Sequence, residues 1–179
     1  TKIIDRFRNR IPIAAEEVDT IIRKRLLAKT ADGNSILQDY YKKNSGQISD
    51  ITNLVGTGLK KTTDAKTYAD YYPFYEHQFK MLQYFLFGTH KLVKTQVGTR
   101  GMLISAFDVL KKETMADRDI FVHVNASQLC RNAEESVPES LRARYNQADE
   151  HLTDIKLKFV VGHDMLQTIH FLTESGAKT

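Results

Sequence analysis

Apolar residues recur at helical spacing over most of this chain. From Ala14 to Lys29 they fall at Val18, Ile21, Ile22, Leu26 and Leu27, which predicts an amphipathic helix entered through a short extended stretch around Pro12. Glu16 and Glu17 stand at its start and Arg23, Lys24, Arg25 and Lys29 toward its end, the charge order a helix dipole favours. A second helix is expected after Asp32-Gly33-Asn34-Ser35, with Ile36, Leu37, Tyr40 and Tyr41 on its apolar side. Gly46 is placed to interrupt it before the pattern resumes through Ile48, Ile51, Leu54 and Val55 and stops at Gly56 and Gly58. Leu59 to Tyr72 is polar, threonine-rich and without helical period, so it reads as a long connection with room for a short strand, ended by Pro73.

Helical spacing returns from Phe74 or Tyr75 to Phe87, with His77, Met81, Leu82, Tyr84 and Phe85 as a broad apolar surface and Gly88 as its end. Another helix is predicted over 99–112, packing through Leu103, Ala106, Phe107 and Leu110. Ile120 to Val124 reads as a strand or an apolar loop, and Asn125 as the N-cap of a short helix through Leu129 and Cys130. Pro138 suits the first turn of a helix reaching His151. Ile155 to Val161 alternates apolar and lysine residues like a half-buried strand, and a last helix over 163–174 packs through Met165, Leu166, Ile169, Phe171 and Leu172. The expected fold is mainly α: a helical bundle over residues 1–115 and a smaller helical module, of winged-helix-like character, over 116–179.

Composition narrows the class. With 179 residues, 41% of them hydrophobic and 27% charged, the chain can bury a real core and is not disordered in bulk. No stretch reaches the roughly 20 apolar residues that span a bilayer, and no secretory layout opens the chain, so no membrane partner is expected. A lone cysteine, Cys130, cannot form an internal disulfide and reads as a small buried residue in a reducing, cytoplasmic setting. A net charge of +4 is too slight to diagnose nucleic-acid binding. The clusters Arg6, Arg8, Arg10 and Arg23, Lys24, Arg25 can meet phosphate, but solvated helix faces are their ordinary reading. The chain opens Thr1-Lys2-Ile3-Ile4 without methionine and closes Ser175-Gly176-Ala177-Lys178-Thr179 directly behind a helical pattern, which points to a fragment.

Candidate chemistry is sparse. A phosphate loop needs glycine directly before its lysine, after a strand. Gly56-Thr57-Gly58-Leu59-Lys60-Lys61-Thr62 puts leucine there, and Gly176-Ala177-Lys178-Thr179 puts alanine. The histidines His77, His90, His123, His151, His163 and His170 lack the paired helical spacing with an adjacent glutamate that a zinc hydrolase uses, so packing or surface roles are expected and no metal site is assigned. Cys130 has no neighbouring histidine or nucleophile turn, and no catalytic residue is assigned. Tyr71, Tyr72, Phe74, Tyr75 and Phe79 can stack on bases, yet read more simply as a domain core with tyrosines at its edge.

At three places the chain resembles the large P-loop ATPases of phage-exclusion (BREX) systems, the BrxC and PglY group. The first is Asp5-Arg6-Phe7-Arg8-Asn9-Arg10-Ile11 with Val18-Asp19-Thr20-Ile21-Ile22-Arg23-Lys24-Arg25-Leu26-Leu27, which looks like the exit from an ATPase core into its helical lid. The second is Tyr72-Pro73-Phe74-Tyr75-Glu76-His77-Gln78-Phe79-Lys80-Met81-Leu82 joined to Thr99-Arg100-Gly101-Met102-Leu103-Ile104-Ser105-Ala106-Phe107. The third is Val137-Pro138-Glu139-Ser140-Leu141-Arg142-Ala143-Arg144-Tyr145-Asn146-Gln147. Gly98-Thr99-Arg100 also resembles the second sensor of AAA+ ATPases, where a lid arginine reaches the nucleotide's terminal phosphates.

The resemblance implies a lid-like bundle that caps a nucleotide pocket, with Arg100 as the phosphate contact and Arg8 or Arg10 as a subunit-bridging candidate. It implies ATP and magnesium held by a phosphate loop and an acidic strand upstream, so that the fragment alone would not hydrolyse ATP. Its implied partners are the remaining ATPase domains, other subunits and DNA, with phage defence as the role. The alternative from another class is a stand-alone helical scaffold or nucleic-acid-binding module.

Overall fold

Local capping explains where four of the described helices begin. The structure, a computed structural model, describes residues 15–54, 57–88, 96–133, 139–152, 156–157 and 160–176. It is mainly helical. Helix α1 (Ala15–Ile21) runs into a π-helical turn, Ile22–Leu26, and α2 spans Ala31–Ile51. They are followed by α3 (Ala65–Tyr71), α4 (Glu76–Gly88) and α5 (Gln96–Lys112). After a 3-10 turn at Met115–Asp117 come α6 (Ala126–Ala133), α7 (Glu139–Leu152) and α8 (Gly162–Glu174). Between α7 and α8, β1 (Lys156–Leu157) pairs antiparallel with β2 (Val160–Val161).

The caps are specific. Thr30 accepts from the Gly33 amide at 3.1 Å and Asp64 from the Thr67 amide at 2.8 Å, opening α2 and α3. Asn125 accepts from the Gln128 amide at 2.9 Å while the Gln128 side chain accepts from the Asn125 amide at 2.9 Å, a reciprocal capping box that starts α6 as the sequence predicts. Gln78 reaches back from α4 in the same way to the Tyr75 amide, 2.9 Å, and its Nε2 donates to the Val124 carbonyl at 2.7 Å. One buried amide side chain thereby starts a helix and ties down the 119–125 loop.

Two cores result. The larger joins Ile22, Leu27, Phe74, Leu82 and Phe85 to Met102, Ala106, Val109, Leu129, Cys130 and Phe171. It therefore runs without a break past residue 115, drawing on α1 and α4 to α6 together with α8. The smaller lies between α2 and α3 and is built from Leu37, Tyr41, Ile48, Tyr68, Ala69 and Tyr75.

Several elements depart from the sequence pattern. The connection expected over Leu59–Tyr72 contains α3, set by the Asp64 cap and by Tyr68 and Ala69 burying against α2. The break in α2 falls at Asn44 rather than Gly46, because the Asn44 side chain donates to the Tyr40 carbonyl at 2.9 Å and competes with the helical ladder. Within the stretch Ile155–Val161, expected as a single strand, Lys156–Leu157 and Val160–Val161 pair antiparallel with each other. Leu26 is partly buried while Ile22 and Leu27 take the inner places, so Leu27→Ala should cost about 2–4 kcal/mol and Leu26→Ala about half that, read from chemical denaturation of the two variants. The extended entry around Pro12, the arginines Arg6, Arg8 and Arg10, the histidine His90, and Pro138 lie outside the described residues.

Candidate functional site

Between Met102 and Leu110 helix α5 carries apolar side chains on two sides, one buried and one exposed. Its inner face is Met102, Ser105, Ala106 and Val109, all buried. Gly101 lets α4 come close: a Cβ there would stand 3.3 Å from a Leu86 methyl. The other face carries Leu103, Ile104 and Phe107, which are 37%, 42% and 48% exposed. Arg100 leads this stripe and Lys111 closes it, with the Lys111 ammonium 5.9 Å from the Phe107 ring centroid. The packing face expected from the sequence, Leu103, Ala106, Phe107 and Leu110, is therefore corrected by a rotation. Ala106 is buried and Leu110 packs against the core, but Leu103 and Phe107 point outward.

Arg100 is exposed. Helix α5 begins at Gln96, so Arg100 stands just over one turn inside it rather than at its start. The acids further along are engaged elsewhere: Asp108, two turns on, pairs with Lys112 at 3.0 Å, and Glu113, just past the helix, with Arg131 at 3.2 Å. Among the described residues Arg100 has no ion-pair partner. A guanidinium with no ion-pair partner among the described residues, at one end of an exposed apolar stripe, can contact phosphate or carboxylate.

A concavity of about 330 Å³ opens beside the inner face, where Met102 meets Asp19, Arg23, Tyr71, Glu76 and Lys80. Its charges largely satisfy one another. Asp19 Oδ2 accepts from Arg23 Nε at 3.1 Å and from the Tyr71 hydroxyl at 2.9 Å, and the Arg23 guanidinium lies 5.2 Å from the Tyr71 ring centroid. Burial pushes the Tyr71 phenol up, and the Asp19 carboxylate adds to this. The Tyr71 proton therefore stays in place, and the cluster acts as a clamp joining α1 to α3.

The aromatic group read from the sequence is structural. Tyr71, Phe74, Tyr75 and Phe79 are buried and Tyr72 is partly covered. Tyr75 stacks on His123 at 4.7 Å between centroids and on His77 at 5.7 Å, while the Tyr68 hydroxyl and His123 Nε2 are 2.8 Å apart. Burial holds both imidazoles down at about 4. Their folded values lie below the roughly 6.5 of an unfolded chain, so the unfolded state takes up protons first as pH falls. Stability should be complete above about pH 6.5 and decline toward pH 4 by about 3 kcal/mol for each of these groups. His77→Gln and His123→Gln should flatten that decline in denaturation curves taken at several pH values.

The remaining candidates place plainly. His170 packs against Phe85 and Tyr145, and Cys130 is buried. Of the glycine-lysine stretch 56–62, residues 57–62 form an irregular segment tied back to α2, with the Thr62 amide donating to Thr52 Oγ1 at 3.2 Å and Tyr41 to the Thr62 carbonyl at 3.4 Å. Of the stretch 176–179, residues 177–179 lie outside the described residues. Among the described residues no cluster of histidine, cysteine and carboxylate gathers to hold a metal, and no helix is long and apolar enough to cross a membrane. No protein-family model matches the chain, and no solved structure matches it.

Proposed function

We propose that this chain is the helical, lid-like portion of a large P-loop ATPase of the BREX type. It docks on its nucleotide-binding neighbour through the outer face of α5 and presents Arg100 to the nucleotide's terminal phosphates. The observation that carries this reading is the pairing of an exposed apolar stripe, Leu103, Ile104 and Phe107, with an arginine that has no acidic partner among the described residues. A guanidinium fits an anionic phosphate. Magnesium, by contrast, finds no carboxylate cluster among the described residues and belongs to the neighbour's acidic strand. ATP so placed would supply the phosphoanhydride bond. Arg100 would stabilise the charge on its terminal phosphate, and the angle of α5 would then follow nucleotide state.

In the complete protein, Arg100→Ala should lower ATP turnover by about tenfold, the worth of one charge-assisted contact, and leave the melting temperature unchanged because the side chain is exposed. Unchanged turnover would exclude the role. The coding sequence upstream should also contain a phosphate loop.

The second reading is a nucleic-acid-binding module. It is favoured by Lys24 and Arg25, both exposed on the π-helical turn. Duplex affinity should then fall steeply with added salt, and no binding at low salt would remove it.

A further inference from the structure

On the side of the molecule where the π-helical turn leads into α2, a cavity of about 430 Å³ lies between that corner, the end of α5 and the 115–120 segment. Its walls are chiefly aliphatic: Leu26, Leu37, Leu110, Met115 and Ile120. Its charged lining is of one sign. Lys29 and Arg118 border it, and no carboxylate does so among the described residues. This contrasts with the cavity at Asp19 and Arg23, where acids and bases neutralise one another.

Lys29 Nζ donates to the Asp70 carbonyl at 3.3 Å, which fixes the ammonium and leaves further N–H groups for a ligand oxygen. Arg118 donates through Nε to the Glu113 carbonyl at 3.3 Å, keeping the outer edge of its guanidinium exposed. The wall beside it is held firmly. Phe121 adopts a left-handed backbone with φ of 80°, stacks on Tyr40 at 3.8 Å between centroids, and donates its amide to the Tyr72 hydroxyl at 2.9 Å. That arrangement turns Phe121 inward and leaves Ile120 at the cavity rim. A left-handed bulky residue is costly and persists where its surroundings enforce it.

We infer that this cavity binds an aliphatic monocarboxylate, its chain against Leu26, Leu37, Leu110 and Met115 and its carboxylate on Lys29 with Arg118 at the rim. Its volume falls in the roughly 300–1,000 Å³ range of small-molecule sites. A monoanion suits a part-buried ammonium better than a phosphate dianion, whose second charge would be stripped of water beside leucines. Burial holds the Lys29 ammonium down to about 8, with the Asp70 carboxylate offsetting part of that, so a second anion has charge to stabilise.

Decanoate titrated into the chain by calorimetry, below its micelle concentration, tests this. Saturable binding is expected, with decan-1-ol and decyltrimethylammonium at least about tenfold weaker. From hexanoate to decanoate, affinity should rise by up to about fourfold per methylene. Lys29→Met should reduce decanoate affinity by about tenfold and leave decan-1-ol binding unchanged, whereas Leu110→Trp, which fills the cavity, should reduce both. The ligand comparison on the unaltered chain needs no variant to fold. The inference is overturned if decanoate fails to saturate, if the cationic analogue binds equally well, or if Lys29→Met binds decanoate as the parent does. In that last case Lys29 serves only to cap the end of α3.

Discussion

Phe171→Ala should lower the unfolding free energy by about 3–5 kcal/mol, and every part of the molecule should report the loss together. The ring is 0% exposed and lies 5.0 Å, centroid to centroid, from Phe85 of α4, which is itself fully buried. One turn further along, the Ser175 hydroxyl lies within hydrogen-bond distance of both the Phe171 carbonyl and, at 3.1 Å, the Met81 carbonyl, which ties the end of α8 to α4. Helix α6 also packs on α8, and Leu129 and Cys130 share the larger core with Ile22 and Leu82. Deleting the ring leaves a cavity under three helices at once. Chemical denaturation followed in parallel by tyrosine fluorescence, which reads mainly the α2–α3 core, and by far-ultraviolet dichroism should give one shifted transition. If residues after 115 fold as a unit of their own, the tyrosine signal will keep its parent midpoint while part of the dichroism is lost early.

Phe107→Asp should have the second large effect, and it should appear only in the assembled protein. The side chain is 48% exposed, so a carboxylate there stays hydrated and the melting temperature of the chain should be nearly unchanged. Buried under a docked neighbour, the same carboxylate would lose its water and replace an aromatic anchor. Those two costs together should weaken docking at least about a hundredfold. Thermal unfolding of the chain and ATP turnover of the complete protein separate the two contributions: the first should hold and the second collapse. A variant that turns over ATP normally would show that α5 does not dock through Phe107.

What the sequence made legible was the local part of this fold. The Asn125 cap could be read because both halves of its capping box lie within four residues, and α4 because its apolar spacing is unambiguous. Helix α3 was hidden by its threonine-rich approach and its short length, although Asp64, a favoured N-cap residue, was the local sign of it. The rotation of α5 was not recoverable from periodicity. With Met102, Leu103, Ile104, Ala106, Phe107, Val109 and Leu110 in one helix, almost any face satisfies the pattern, and contact with Leu86 and the rest of the core decides which face turns inward. The cavity at Lys29 lay equally out of reach, since its walls come from segments about ninety residues apart that only the folded chain assembles.

The direct test of the proposed docking face is hydroxyl-radical footprinting of the complete protein, with Ile36 on α2 as the internal reference. Ile36 is 50% exposed and Phe107 48%, so in the chain by itself the two side chains are about equally open to solvent. Docking of α5 on a nucleotide-binding neighbour predicts strong protection of Leu103, Ile104 and Phe107 while Ile36 stays reactive. Labelling of Phe107 at the level its own exposure dictates, with ATP and without it, would contradict the account.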